Sequence, residues 1–173
     1  MARAPVVVCD YDDDWPRRFE AVRGLASSAL GALALRIEHV GSTSVAGLAA
    51  KPIVDCDIVI AAEADLPHAA HLLSRIGYVH RGELGIAGRH AFDAVHAPAS
   101  ALPPHHLYVC PASSPELARH LAFRDALRAD ARLRESYAAL KRALAARFAD
   151  ERDAYTDGKS AFIEAVLQQA RPL

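Results

Sequence analysis

The chain has 173 residues, the length of one domain able to bury a core of its own. Its 21 Asp and Glu nearly balance 20 Lys and Arg, and the formal net charge of −1 lacks the basic excess of a general nucleic-acid binder. No apolar run approaches a membrane span, no signal-peptide core precedes the acidic triplet Asp12 to Asp14, and three scattered cysteines form neither a zinc spacing nor a disulfide framework, so a cytoplasmic, membrane-free protein is expected.

Residues 6–9 form a short apolar run, an edge strand or an extended arm. Asp12 to Asp14 are then expected to cap a helix with Trp15 and Pro16 in its first turn, followed by Phe19, Val22, Ala26, Ala29, Leu30 and Leu33 at helical spacing. Trp15 reads as a core anchor.

Residues 37–60, IEHVGSTSVAGLAAKPIVDCDIVI, read as strand, tight turn, short helix and strand. A strand alternates its faces, so Asp55 and Asp57 project from one side and Cys56 from the other. Their backbone origins lie roughly 7 Å apart. At an effective dielectric of about 20 the two charges repel by on the order of 2 kcal/mol. A divalent cation, Mg²⁺ (or Mn²⁺), would offset that repulsion, and hard cations prefer carboxylate oxygen. Upstream, Gly41 permits a tight turn or a close approach. Ser42, Thr43 and Ser44 are expected to cap the short helix, whose outward amides make an anion site. An anion cradle beside a dicarboxylate strand suits a metal–triphosphate. Lys51, just before the strand, is in reach of a phosphate.

A helix is predicted over 63–75, with His68 and His71 on one solvated face. A short strand over 78–81 leads to a hairpin loop over 83–89 among Gly82, Gly85 and Gly88. Residues 90–96 (HAFDAVH) read as the next strand, with Asp93 its only acidic residue, and 97–104 as a proline-containing loop. In the strand over 105–110, His106 and Tyr108 share a face. The last third is helical. Ser113-x-x-Glu116 is a capping-box pattern with Pro115 in the first turn, followed by Leu117, Leu121 and Leu127 and by Arg124 and Arg128 one turn apart. Leu133, Tyr137, Leu140, Leu144 and Phe148 mark a second helix, and a third begins near residue 150 with Tyr155, Phe162, Ile163, Val166 and Leu167. Lys159 is four residues from both Tyr155 and Ile163, so it falls on the inward stripe, where a lysine must snorkel or meet an anion. Lys141, beside Leu140, and Arg124 are further candidates for phosphate contact.

Gly41-Ser42 followed by Asp55-x-Asp57 resembles the signature of the nucleotidyltransferase superfamily, the polymerase-β-like minimal fold. HVGSTSVAGLAAKPIVD is similar to the GrpB family of small bacterial proteins, also found fused to dephospho-CoA kinase. Tyr11-x₃-Trp15-Pro16, HHLYVCP at 105–111, PELARHLAFRDALR at 115–128, Tyr137-x₃-Lys141 and Tyr155-x₃-Lys159-x₂-Phe162-Ile163 extend the resemblance over nearly the whole chain.

The resemblance implies a Mg²⁺-dependent nucleotidyltransferase that binds a nucleoside triphosphate and serves an unidentified small-molecule or protein acceptor. Gly41, Ser42 and Thr43 would hold phosphates, with Lys51, His106, Arg124, Lys141 and Lys159 as further contacts. Asp55 and Asp57 would bind the metal. The superfamily's third carboxylate falls to Asp93, or its place to His90, which stands where relatives carry glutamate. Asp93 or a metal-bound carboxylate would activate the acceptor hydroxyl. Tyr108 stands where many members have a second histidine. The alternative is a non-catalytic nucleotide-binding or accessory interaction module, and a more remote analogy is an antitoxin-like or drug-modifying transferase. The expected fold is α+β in a single domain: a mixed β-sheet nucleotidyltransferase-like core over about 1–111 and a C-terminal helical bundle over about 112–173. Sheet and bundle should form two walls of one cleft, with Lys159 and Arg124 facing the aspartates.

Overall fold

The computed structural model describes residues 5–170. In chain order the elements are α1 (Trp15–Leu30), β1 (Arg36–Val40), β2 (Val54–Ile60), α2 (Leu66–Ser74), β3 (Tyr78–Gly82), β4 (His90–Ala94), β5 (His105–Pro111), α3 (Pro115–Ala129), α4 (Ala131–Arg147), α5 (Arg152–Asp157) and α6 (Ser160–Gln169). The strands make one sheet in the order β1-β2-β5-β4-β3. Only β2 and β5 run parallel, and the other pairs are antiparallel. This is the expected α+β architecture.

Strand alternation divides the sheet chemically. Cys56, Ile58, Leu107, Val109 and Phe92 face one way and pack with the α1 stripe of Trp15, Phe19, Val22, Ala26 and Leu30 and with Leu73 of α2. The register pairs Asp55 with His106, and Asp57 with both Tyr108 and Glu38. Partners in register share a face, so this polar set lies together on the other side of the sheet. The C-terminal helices cover that side. Leu117 of α3 closes it against Val59 and Cys110. Farther along, Leu127, Tyr137 and Ala138 pack on Val45, Leu48 and Ala49, the segment between β1 and β2. The C-terminal helices therefore pack on that side through two apolar clusters, with a cleft beside them.

Several local expectations need correction. The short helix after Gly41 is a single 3₁₀ turn, Ser42–Ser44. The arm near residue 6 joins no strand; Cys9 and Ala50 exchange two backbone hydrogen bonds of 2.9 and 3.0 Å. The cap of α3 is Ser114, whose hydroxyl accepts from Leu117 N at 3.4 Å, one position later than the Ser113 pattern. The last helix is broken into α5 and α6 around Gly158 and Lys159. Gly158 lies so close to the Leu144 side chain of α4 that any Cβ there would overlap it. Among the described residues no helix is long and apolar enough to cross a membrane.

Candidate functional site

The turn after β1 is held by side chains from three layers. Gly41 sits at φ +69°, and a Cβ on it would overlap Asp55 Oδ2. The His39 ring stacks on Phe19 at 4.5 Å and its Nε2 meets Thr43 Oγ1 at 2.9 Å. Burial pushes the His39 imidazole down to about 4, so it is neutral near pH 7. Ser44 Oγ donates to Gly41 O at 2.6 Å, and Arg128 donates to Ser44 O through Nε and Nη2 at 3.1 and 2.8 Å. A Gly41→Ala variant is expected to lose about 1–3 kcal/mol, through left-handed strain and displacement of Asp55. Urea unfolding checks this; an unchanged midpoint would contradict the Gly41–Asp55 contact.

The two aspartates share a face but have different partners. Asp55 Oδ1 accepts from His106 Nδ1 at 2.8 Å. Burial pushes its carboxyl up, but the His106 hydrogen bond and the charges of His106, Arg89 and Lys51 outweigh that and hold it below the ordinary value. Asp57 is wholly buried, and both its oxygens are taken. Oδ1 receives Arg89 Nη2 at 3.3 Å and Oδ2 receives His120 Nδ1 at 2.8 Å. The Arg89 guanidinium carbon lies over the Tyr108 ring, 3.3 Å from its centroid.

Facing Asp55 is a basic wall. The chain has three lysines among its 20 Lys and Arg residues, and Lys51, Lys141 and Lys159 all line the same cleft of about 360 Å³. Among the described residues none has a carboxylate partner within ion-pair distance. They rest on aromatic faces instead: Lys51 and Lys159 on Tyr155 at 5.6 and 4.6 Å, and Lys141 on Tyr137 at 4.6 Å. An aromatic face holds a cation without neutralising it. Lys141 is 2% exposed, and its Nζ donates to Ser42 Oγ at 2.8 Å and to Ala49 O. Burial, reinforced by Lys159, Arg142 and Lys51, pulls Lys141 down to about 7. Burial likewise pulls Lys159 down to about 8, with Lys51 adding to the shift and Asp55 opposing it. Lys51 is lowered by burial and by Arg152. Desolvated cations with no carboxylate partner mark a place built for an anion.

The structure brings together Gly41, Ser42, Thr43, Lys51, Asp55, His106, Arg124, Lys141 and Lys159 around this cleft, as the sequence reading places them. Their roles separate. Thr43 is buried and its hydroxyl is committed to His39, so it positions the turn. Arg124 is committed to Glu38 Oε2 at 2.8 Å, His39 O at 3.1 Å and Asp125 Oδ1 at 2.8 Å, and braces β1. A single 3₁₀ turn has too few aligned amides for a helix-terminal anion site, so the positive field comes from the lysines. Asp93 is the main correction. Pairing of β4 with β5 ends at Phe92, and Asp93, beyond it, is exposed and bound to Arg81 at 2.7 Å, outside the cleft. His90 points to the opposite face, between Glu63 at 2.6 Å and His80 at 3.4 Å.

The expected Mg²⁺ site also fits poorly. Each Asp57 oxygen already accepts from a cationic or imidazole donor, one Asp55 oxygen accepts from His106 and the other lies against Gly41. Among the described residues no three His, Cys, Asp or Glu side chains are grouped to hold a metal ion. Sequence reasoning missed Arg89 and His120. His120 had a signal, since it lies three residues after Leu117 and four before Arg124, on the inward stripe of α3.

The GrpB protein family profile matches residues 5–169. The chain belongs to the GrpB family. The UPF0157 protein YqkA of Bacillus subtilis is 32% identical over 93% of this chain and 46% of its own length. A dephospho-CoA kinase of Mycolicibacterium paratuberculosis is 28% identical over 98% of this chain and 47% of its own. The chain thus spans about half the length of either relative. The crystal structure of GrpB from Enterococcus faecalis superposes with a TM-score of 0.82 at 33% identity, covering 95% of this chain and 96% of that one. The fold is also similar to that of Cid1, solved with the UTP analogue UMPNPP, with a TM-score of 0.54 at 13% identity, over 81% of this chain and 43% of Cid1.

Proposed function

We propose that this GrpB-family protein binds a nucleoside triphosphate in the cleft between the sheet and the C-terminal helices. The observation that carries the reading is the convergence of all three lysines on one cleft, none with a carboxylate partner among the described residues. Lys51, Lys141 and Lys159 hold the phosphate chain, with the Ser42 hydroxyl as a further contact. The likeness of the fold to Cid1, a protein solved with a UTP analogue, supports the same ligand class. The four common nucleoside triphosphates, tested by thermal shift and calorimetry, should include at least one that raises the melting temperature. A ligand at about 100 times its dissociation constant adds about 2.7 kcal/mol. Lys159→Met should weaken that ligand by about tenfold or more, the loss expected when a charged contact is removed. No response to any triphosphate would refute the reading.

Nucleotidyl transfer is compatible with the geometry. Asp55 is ionised near pH 7 and so accepts the proton that His106 carries on Nδ1. With Nδ1 bound to Asp55, Nε2 is the His106 nitrogen that would take up a proton. An acceptor hydroxyl bonds to the α-phosphorus as its proton passes to His106, the bond to the β-phosphate oxygen breaks, and pyrophosphate leaves. The second reading is an accessory nucleotide-binding module without turnover. It is favoured by Asp93 lying outside the cleft and by the similarity to a dephospho-CoA kinase. Pyrophosphate release with some acceptor decides for transfer; triphosphate binding without release from any acceptor decides for the module.

A further inference from the structure

We propose that Arg89 and His120 occupy the place of a divalent cation at Asp57, and that the cleft takes its triphosphate without a metal. The inference rests on the triphosphate reading above. Four observations carry it. Asp57 is wholly buried, and each carboxylate oxygen already has an N–H donor, Arg89 at 3.3 Å and His120 at 2.8 Å. A hard cation on Asp57 would compete with both donors and set a second positive charge beside the buried Arg89 guanidinium. Arg89 is a permanent charge, because guanidinium does not deprotonate in proteins.

Arg89 is also fixed in place. Its guanidinium carbon lies 3.3 Å from the Tyr108 centroid and its side chain is 10% exposed. The loop that delivers it is tied by Glu83 Oε1, which accepts from Gly88 N at 2.6 Å. His120 is fixed from behind, with Nε2 at 3.2 Å from Glu116 Oε1. One polar atom of Arg89, Nε, is buried without a partner. A buried orphan donor is costly, and it points to a group that gains a partner when the cleft fills.

The charge count agrees. Among the described residues, Arg89, Lys51, Lys141 and Lys159 line the cleft with one carboxylate, Asp55, and Asp57 is bound to Arg89, so the cationic excess that a metal would add to a dicarboxylate site is already built into the chain. Arg89 is therefore a positioning residue for the Asp57 side of the cleft. It neutralises the carboxylate that would otherwise repel the phosphates.

The test is calorimetry of the intact protein with the triphosphate that gives the largest thermal shift, once in EDTA and once in excess Mg²⁺. The two dissociation constants are expected to agree within about threefold. Arg89→Met should weaken binding in EDTA by about tenfold or more and make the remaining binding depend on Mg²⁺, because bare Asp57 then needs a cation. Manganese titrated against the wild-type protein without nucleotide, followed by electron paramagnetic resonance, should show no bound ion; a bound ion released by Asp57→Asn would overturn the proposal. This arm needs no Arg89 variant to fold. Binding seen only with Mg²⁺ overturns the metal-free inference and leaves the triphosphate reading standing. Binding in neither condition overturns both.

Discussion

Asp57→Ala is expected to destabilise the metal-free protein by about 3–5 kcal/mol, the cost of breaking a buried ion pair from one side. Arg89 would lose its only carboxylate while remaining buried over Tyr108, with its Nε already lacking a partner. His120 would keep only Glu116. The opposite sign follows if Asp57 serves chiefly as a metal ligand. Two bare carboxylates on one strand repel by on the order of 2 kcal/mol, and removing one in EDTA would then stabilise the fold. Urea unfolding in EDTA separates the cases through the midpoint, provided the m-value is unchanged. A midpoint at or above wild type would falsify the Arg89–His120 account. Asp55→Ala is the internal comparison. Asp55 has one direct donor, His106, and a partly exposed side chain, so its loss should cost less.

Lys141→Met should move stability and binding in opposite directions. Lys141 is buried with only Ser42 Oγ, Ala49 O and the Tyr137 ring as partners. Its pKa falls from 10.5 to about 7. The sign follows from proton counts. Below about 7 the lysine is charged in both states, and the folded state carries the full burial penalty. Between there and the unfolded value the unfolded chain binds more protons, so stability rises with pH. The penalty is on the order of several kcal/mol at and below neutral pH and vanishes toward about pH 10. Methionine removes the charge but leaves two oxygen acceptors unsatisfied, at about 1–3 kcal/mol. The variant should therefore be more stable than wild type at about pH 6, by about 1–2 kcal/mol, and lose that advantage at about pH 10.

Triphosphate binding should fall at least about tenfold in the same variant. An anion favours the charged amine, so wild-type binding takes up a proton and weakens as pH rises above about 7. Calorimetry in two buffers of different ionisation enthalpy reads that proton. A variant that is less stable at acid pH and binds like wild type would show that Lys141 is only a structural lysine.

Much of the cleft was legible because strand period is short and rigid. A period of two puts Asp55 and Asp57 on one face and His106 beside them once β2 and β5 pair, with no freedom to slip while Cys56, Ile58 and Leu107 must reach the core. Lys159 was legible from a conflict, a charge on an apolar stripe. The scarcity of lysine was a further signal in the sequence, because a chain that uses arginine almost everywhere else keeps its three lysines for one cleft. Arg89 had no comparable signal. It ends a glycine-rich loop, where neither period nor propensity says which way a side chain turns.

The sequence by itself determined the α+β class, the faces of its strands, the Gly41 turn beside a dicarboxylate strand and the membership in the GrpB family. Only the tertiary structure decided what each charge meets. Asp57 finds its partners 32 and 63 residues away, on a hairpin and on a helix, while Asp93, a third acid by strand and face, lies past the end of the β4–β5 pairing and bonds Arg81. At the break between α5 and α6, where Lys159 enters the cleft, Gly158 leaves room for Leu144 from another helix. Local periodicity fixes which side of an element is buried, because burial is a property of the element. The identity of the partner is a property of two elements and their packing, and a buried charge is stable or costly according to that partner.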